Sequence, residues 1–382
     1  MHMLIKNVKI ISPYEVLEGL GVKINEGKIV EINLDHLLED SEGEIIDGGG
    51  NYLSPGFIDI HNHGNSGYDV MDSTEEALDK IGEFHLSNGV TSYLGTIITS
   101  SYENIIKAMK NIVDYENKLG KANILGIHLE GPFFHLEKKG AQPEEYIKLP
   151  DLNRIQELLE IARGKLKMVS LAPELKGSIE VIAKLKASNV AVAMAHTNAT
   201  FESAQRGINS GITIATHLYN GMRSFNHREP GVIGASLLDN RVYCELIYDR
   251  IHLHDAAAKM ALRMKGYDKI VLVSDAMMAA GLGDGEYLLG NQKVFVKDGA
   301  AKLASGSLAG STLNLKQAVY NMVKFLEVPI HEAVKMASLN PAKAINRGRE
   351  LGSIRVGKRA DLIIFDENLD IKHTISGGNQ IW

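Results

Sequence analysis

The spacing of apolar residues changes character twice along this chain. Near the start, stretches such as MLIKNVKII and GVKINEGKIVEI alternate apolar and polar positions and are separated by glycine-containing turns. The same alternation returns near the end, in LGSIRVGKRADLIIFD. Alternation with period two is typical of strands that bury one face. We therefore predict that residues 1–54 and 345–382 combine into one small β-sandwich domain.

The middle of the chain, residues 55–344, repeats a different unit, in which a short apolar run is followed by a helical pattern. Eight such runs are rich in β-branched and apolar residues, at 54–61, 90–97, 122–130, 167–174, 190–196, 212–218, 242–248 and 269–275. Eight strands that alternate with helices predict an α/β fold, a (β/α)8 TIM-like barrel. A doubly wound open sheet stays an alternative, because the strand count does not exclude it. Residues 281–304 interrupt the repeat and predict inserted hairpins.

One helix is predicted in detail, between the first two apolar runs. Ser73 and Glu76 have the spacing of a capping box, and Gly89 is a typical helix stop. The apolar residues that share one face of this helix are Ala77, Ile81 and Phe84.

Composition limits the classes of function. The 382 residues are enough for one large domain with a smaller one beside it. The net charge of −6, without a basic cluster, argues against a nucleic-acid partner. Cys244 is the single cysteine, so no disulfide is expected within the chain. No apolar run is long enough to span a bilayer and the start lacks a signal-peptide pattern, so we expect a cytoplasmic protein without a membrane partner.

The first candidate for chemistry is a pair of histidines at the end of the first predicted barrel strand. His61 and His63 lie two positions apart, so their side chains point to the same face of the strand, and Gly64 then breaks it. Two imidazoles on one face suit a metal site. Two surface histidines near a turn are the alternative interpretation.

Further metal-ligand residue types lie at the ends of the other predicted strands. They are Glu130, His196, His217, His252 and Asp275. In a barrel of this type, catalytic groups gather at the carboxyl ends of the strands, and buried strands are a poor place for unpaired polar groups. Together with the histidine pair, these residues predict a centre for a divalent cation such as zinc or iron.

Such a centre is suited to the hydrolysis of amides or esters. A bound divalent cation lowers the pKa of a water molecule to about 7, which makes hydroxide available at neutral pH. A glutamate that reaches between two cations, Glu130, would bridge them. Asp275 would take the proton of the water and deliver it to a leaving nitrogen.

At these residues the sequence resembles the N-acetylglucosamine-6-phosphate deacetylases of the amidohydrolase superfamily. The resemblance runs through the whole chain, and the motifs that carry it are PGFIDIHNHG, HLEGPFF, AHTNAT, THLYNGM, REPG, VSDAM and NPA. It implies hydrolysis of the N-acetyl group of an amino-sugar 6-phosphate, which gives acetate and the free amine, in amino-sugar catabolism. It also implies two groups of metal ligands: the principal ligand group, Glu130, His196 and His217, and the second ligand group, His61, His63 and Asp275.

The resemblance further implies how the metal and substrate are held. Some members lack the second histidine of the first motif and use one metal; this chain has both, so one or two metals per subunit are expected. Asp275 would be the general base and acid, and His252 would contact the sugar and polarise the carbonyl. Arg228 would bind phosphate in the neighbouring subunit's site, which implies a homodimer. The expected substrate contacts are Gln142, Asn220, the Gly221 amide, Arg228, His252 and Leu308.

Two positions depart from the family pattern. Arg250 stands in DRIH, where the family has a small residue, and Gln142 stands in KGAQ, where the family has histidine. Because guanidinium binds phosphate well, Arg250 is a hypothetical additional phosphate ligand. Both departures leave hydrolysis in place and put the sugar or phosphate preference in question.

Several alternatives stay open. Within the enzymes these are the N-acetylgalactosamine 6-phosphate epimer as substrate, or another amidohydrolase reaction. Outside the enzymes, a barrel that binds sugar phosphates as a sensor would fit the same fold. His128, one layer below Glu130, is interpreted as a structural residue of the barrel interior rather than a ligand.

Overall fold

The computed structural model describes residues 2–38 and 43–381. Its strands belong to a sheet made from the two ends of the chain, to a parallel barrel and to two small antiparallel sheets. In chain order they are β1 (His2–Ile11), β2 (Val16–Asn25), β3 (Lys28–Leu34), β4 (Glu44–Asp47), β5 (Tyr52–Pro55), β6 (Phe57–Asn62), β7 (Gly64–Asn65), β8 (Tyr68–Asp69), β9 (Val90–Ile98), β10 (Asn123–Glu130), β11 (Leu166–Leu171), β12 (Ala191–Met194), β13 (Ile212–Ala215), β14 (Tyr243–Leu246), β15 (Ile270–Leu272), β16 (Gly285–Leu289), β17 (Gln292–Lys297), β18 (Ala300–Lys302), β19 (Leu362–Phe365), β20 (Ile371–Ser376) and β21 (Asn379–Gln380).

Most helices follow a barrel strand and pack on the outside of the barrel. They are α1 (Glu75–Ser87), α2 (Tyr102–Asp114), α3 (Leu152–Ala162), α4 (Ser178–Ala187), α5 (Phe201–Ser210), α6 (Gly231–Leu238), α7 (Asp255–Lys265), α8 (Leu315–Leu326), α9 (Ile330–Ala337) and α10 (Leu339–Ala344). Among the residues that the structure describes, none of these helices has both the length and the apolar character needed to cross a membrane.

The barrel predicted from the eight apolar runs is confirmed. Its strands are all parallel and follow one another in the order β6, β9, β10, β11, β12, β13, β14 and β15. The two edges of this sheet meet just beyond β15, where Ala276 pairs with Asn62 and the Asp275 amide donates to the His61 carbonyl at 2.9 Å. The doubly wound open sheet is therefore wrong for this chain, because an open sheet leaves its edge strands apart.

Burial explains why the barrel strands were recognisable. All residues of β9, for example, are buried, since helices cover one face of the strand and the barrel interior covers the other. The runs are consequently apolar on both faces rather than alternating.

The predicted start of α1 is wrong by one residue. Thr74, not Ser73, caps the helix, and its side chain accepts a hydrogen bond from the Ala77 amide. Ser73 has a left-handed backbone, with φ of 55°, because it ends the preceding 3-10 turn Val70–Asp72. Ala77 and Ile81 are buried as predicted, whereas Phe84 is only half-buried.

The two ends of the chain form one mostly antiparallel sheet in the order β21, β20, β19, β5, β1, β2 and β3, with β4 beside β1. We call it the end sheet. Its strands are hydrogen-bonded into one continuous sheet around an apolar core of its own. Alternate residues of β19 pack in two different apolar cores. Leu362 and Ile364 pack in the core of the end sheet, and Ile363 and Phe365 pack in the barrel core. The division of the chain at residues 55 and 344 stays a prediction.

A three-stranded antiparallel sheet, β16 to β18, follows the eighth barrel strand. It lies within the segment where inserted hairpins were predicted. Its apolar residues pack with Ile98, the last residue of β9, and with Ala141 and Met277 in loops at the carboxyl end of the barrel. The insert therefore covers part of the barrel mouth.

Candidate active site

The structure brings all six predicted metal ligands together at the carboxyl end of the barrel. His61 lies on β6 and Glu130 is the last residue of β10, while the other four follow their strands by one to three residues. All six are buried, and they form two sets whose ligand atoms lie within 4.8 Å of one another: His61, His63 and Asp275, and Glu130, His196 and His217. These are the second and the principal ligand groups expected from the sequence.

Glu130 lies between the two groups. Its Oε1 is 3.4 Å from Nε2 of His196, 3.3 Å from Nε2 of His217 and 3.5 Å from Nε2 of His61. Its Oε2 is 3.2 Å from Nε2 of His63. Asp275 closes the second group, with Oδ1 at 3.3 Å from Nε2 of both His61 and His63.

Three of the ligands have a left-handed backbone conformation, which residues other than glycine rarely adopt. The φ angles are 43° at His196, 33° at His217 and 48° at Asp275. Such a conformation costs about 1–3 kcal/mol per residue and is typical of functional sites. Here it occurs where the chain leaves a strand.

The outer ring nitrogens of two histidines are held by fixed acceptors. Nδ1 of His61 lies 3.1 Å from Oε2 of Glu245, and Nδ1 of His196 lies 2.9 Å from the Lys138 carbonyl. Since both partners only accept, each Nδ1 carries a hydrogen, so in the neutral form of each ring the lone pair is on Nε2. Nε2 of His61 is buried and has no hydrogen-bond partner among the described residues. In the neutral ring, a lone pair at this position beside two carboxylates fits a bound divalent cation, which would replace the proton that Nε2 otherwise carries.

Two buried carboxylates near these ligands were missed by the sequence analysis. Glu245 also accepts a hydrogen bond from the His217 amide at 3.2 Å, so it contacts both ligand groups. Asp59 accepts from the Ser274 hydroxyl at 2.6 Å, and burial, opposed by that bond, raises its pKa to about 7. Both lie inside apolar strand runs. An acidic residue within such a run is unusual, and this signal in the sequence could have identified them.

Opposite charges hold the site together electrostatically. Burial by itself lowers the pKa of His61 and His63, but Asp275 and Glu130 outweigh it, so that the pKa of His61 lies well above its usual value and that of His63 rises to about 9. Burial likewise raises the pKa of Glu130 and Asp275, and the neighbouring histidines reverse this, so both pKa values are lowered. The carboxylates thus stay charged and require a positive partner, either the protonated rings of His61 and His63 or a divalent cation that replaces the protons on their Nε2 atoms.

A cavity of about 280 Å³ opens above the ligands. Five of the six expected substrate contacts line it: Gln142, Asn220, Gly221, His252 and Leu308. Gly221 has φ of 62°, and a Cβ there would lie 2.8 Å from Nδ1 of His196, so the position requires glycine. Ile98, Ile247 and Leu289 give the same cavity an apolar wall.

Arg228 is not brought to this cavity. It is exposed in the turn between Asn226 and Glu229, where its amide donates to the Asn226 side chain. Its predicted role in the site of a neighbouring subunit stays a prediction.

His252 is held by an aspartate from the same loop. Asp249 accepts a hydrogen bond from Nδ1 of His252 at 2.7 Å and another from the His252 amide at 2.8 Å. Burial raises the pKa of Asp249, but these bonds outweigh it and lower the pKa overall. Nδ1 therefore carries the hydrogen, which leaves Nε2 of His252 for a ligand.

The hypothesis that Arg250 binds phosphate is not supported. Its guanidinium donates to both carboxylate oxygens of Asp255, at 3.1 and 3.3 Å, and lies 3.8 Å above the ring of Phe325. These partners hold the side chain on the outer helices α7 and α8, outside the residues that line the cavity.

The structural interpretation of His128 is confirmed. Its ring nitrogens lie 3.1 Å from the Thr96 hydroxyl and 2.8 Å from the Ser170 hydroxyl, and its ring packs edge-on against His61. Burial lowers its pKa well below the usual value. His128 is thus a neutral residue that supports His61 from below.

Comparisons with known proteins agree with this geometry. The sequence model of the amidohydrolase family matches residues 52–381. The N-acetylglucosamine-6-phosphate deacetylase of Lysinibacillus sphaericus is 38% identical over 99% of this chain and 97% of its own, and the N-acetylgalactosamine-6-phosphate deacetylase of Escherichia coli O157:H7 is 39% identical over 86% of each chain. The crystal structure of N-acetylglucosamine-6-phosphate deacetylase from Pasteurella multocida superimposes with a TM-score of 0.94 at 32% identity, covering 100% of this chain and 99% of that one. The chain therefore belongs to the amidohydrolase family.

Proposed function

We propose that this protein hydrolyses the N-acetyl group of N-acetylglucosamine 6-phosphate to glucosamine 6-phosphate and acetate, in amino-sugar catabolism. The observation that carries the proposal is the junction of both ligand groups at Glu130, at the floor of a cavity lined by His252, Asn220 and Gly221. The full-length similarity to deacetylases named for this substrate supports it.

In the proposed reaction a water oxygen attacks the amide carbonyl carbon and the bond between that carbon and nitrogen breaks. A divalent cation at the ligand groups, when bound, lowers the pKa of the attacking water to about 7. Asp275 accepts the proton of the water and then donates it to the leaving nitrogen, since its carboxylate borders both the ligands and the cavity. The lowered pKa of Asp275 means that its carboxylate is ionised before the reaction begins.

The remaining cavity groups bind and orient the substrate. Nε2 of His252, fixed by Asp249, contacts the sugar and polarises the acetyl carbonyl. Asn220 and the Gly221 amide bind on the phosphate side, and Leu308 contacts the acyl group. Arg228, exposed on its turn, completes the phosphate site of a second subunit, so the protein works as a homodimer.

The donor set suits zinc or iron, one or two ions per subunit. Imidazole and carboxylate are borderline and hard ligands, and no thiolate is among the six. A cytoplasmic location is consistent with the single cysteine, Cys244, which leaves the chain without an internal disulfide.

The test is acetate release from N-acetylglucosamine 6-phosphate, before chelation, after chelation and after metal is restored. Metal-dependent release is expected, and the absence of release in all three states would contradict the proposal. N-acetylgalactosamine 6-phosphate is assayed in parallel, because the E. coli relative named for that epimer is 39% identical over 86% of this chain, against 38% over 99% for the L. sphaericus relative named for the gluco substrate. Release from the galacto epimer alone would keep the reaction and change the substrate.

A further inference from the structure

The two oxygens of the Glu130 carboxylate have different surroundings. Oε1 is directed at His196 and His217 of the principal ligand group, with His61 slightly farther away. Oε2 is directed at His63 of the second ligand group. A carboxylate serves both groups only while its plane keeps this rotation, because a turn about the last side-chain bond moves both oxygens off their partners.

Gln142 fixes that rotation. Its Nε2 donates to Oε2 of Glu130 at 2.9 Å, and its Oε1 accepts from the Thr99 amide at 3.1 Å. The Thr99 amide is a donor and an ionised carboxylate only accepts, so the orientation of the Gln142 amide is set by chemistry. Gln142 is 3% exposed, and Thr99 directly follows β9, the neighbour of the strand that ends in Glu130.

We propose that Gln142 is a positioning residue that holds Oε2 of Glu130 toward the second ligand group and so gives this group its affinity for a divalent cation. An amide neither gains nor loses a proton in the physiological range, so this donor is present at every pH at which the protein works. The inference rests on the proposed function for the presence of a cation.

This role differs from the substrate contact expected from the sequence. A residue that contacts substrate changes KM and leaves cation affinity unchanged. A residue that orients a ligand changes cation affinity even when no substrate is present. Groups that orient metal ligands typically contribute 10- to 100-fold in affinity.

The experiment is a titration of the metal-free full-length protein with Co²⁺, followed by visible absorption and by competition with a chelator. We expect two equivalents to bind wild type. In Gln142→Met, which keeps the length and removes the donor, one equivalent should bind 10- to 100-fold more weakly. The matched control is Gln292→Met, because the Gln292 amide donates to the Ala141 carbonyl at the same loop and, among the described residues, has no hydrogen bond to a metal ligand. Its two affinities should match wild type.

Three results would overturn the inference: wild type binding a single equivalent, Gln142→Met binding both equivalents like wild type, or a rise in KM as the only change. Thermal unfolding of the metal-free variants reports on folding. If Gln142→Met does not fold, Gln142→Ala replaces it, since that truncation opens onto the cavity and needs no repacking. Wild type that binds two cations without releasing acetate would contradict the proposed function instead and leave the role of Gln142 standing.

Discussion

The barrel mouth and the end sheet both bury charged side chains, and they do so in opposite ways. Beside the end sheet, the ammonium of Lys358 is buried and donates to the carbonyls of Gly348 and Leu351 at 2.6 and 2.8 Å. At the barrel mouth, the carboxylates of Glu130 and Asp275 face imidazole nitrogens 3.2–3.5 Å away. The ammonium of Lys358 is hydrogen-bonded by backbone carbonyls, whereas the carboxylates of Glu130 and Asp275 point into a space that a cation fits.

The largest expected effect comes from removing the charge at the centre of the mouth. Glu130→Gln keeps the shape of the side chain but removes the negative charge that both ligand groups share. Because a bound cation contributes several kcal/mol to transition-state stabilisation, kcat/KM should fall by about 10³-fold or more. Steady-state kinetics and elemental analysis of the bound metal measure this. A variant that keeps a tenth of the activity would contradict the central role of Glu130.

A smaller effect is expected one layer out, at Glu245. Glu245→Gln still accepts from Nδ1 of His61 and from the His217 amide, but it loses the charge that makes His61 a stronger ligand. We expect cation affinity to fall about 10- to 100-fold while the melting temperature of the metal-free protein stays close to wild type.

The matched control for Glu245 comes from the end sheet. Asp361 is a buried carboxylate that accepts from the Gly377 amide and from Arg359. Asp361→Asn should leave cation affinity unchanged. Equal losses of cation affinity in both variants would contradict the view that buried carboxylates support cation binding at the barrel mouth but not beside the end sheet.

The smallest expected effect is on stability alone, at Lys358. Burial, reinforced by Arg355 and Lys343, lowers the pKa of Lys358 from 10.5 to about 8 in the folded protein. Between these two pH values the unfolded chain binds more protons than the folded one, so this group makes the free energy of unfolding rise with pH. The slope is at most about 1.4 kcal/mol per pH unit.

Urea unfolding of wild type and Lys358→Met at pH 7.5, 8.5 and 9.5 isolates this contribution. The stability of wild type relative to the variant should increase across the series, and kcat/KM of the two proteins should agree within about twofold. A relative stability that is flat or falls with pH would show that the ammonium is not desolvated.

The sequence predicted the barrel and the metal ligands well, because both leave local signals. Each barrel strand is an apolar run bounded by turns, and each ligand is a polar residue where such a run ends. Glu245 is an acidic residue inside such a run rather than at its end, so a pattern based on strand ends does not include it.

The errors concern contacts that depend on distant parts of the chain or on backbone conformation. Arg250 pairs with Asp255 and stacks on Phe325, a residue 75 positions away, and no local pattern reports that ring. Thr74 rather than Ser73 caps α1, because Ser73 ends the preceding turn in a left-handed conformation. The hydrogen bond from Gln142 to Glu130 was not predicted either, because it joins a loop to the end of β10 and only the folded barrel brings the two together.

The end sheet combines strands from both ends of the chain, and this has a consequence for how the protein folds during synthesis. β5 lies between β1 and β19, and its antiparallel partner residues, Leu362 to Phe365, follow Pro55 by roughly 300 residues. At a synthesis rate of about 5–20 residues per second, β5 waits about 15–60 s on the ribosome with one edge uncovered. During that interval the barrel strands emerge one after another, while an unpaired strand edge is a template for wrong partners. The end sheet is therefore complete only after the barrel strands have been synthesised, so its last strand pairing spans most of the chain.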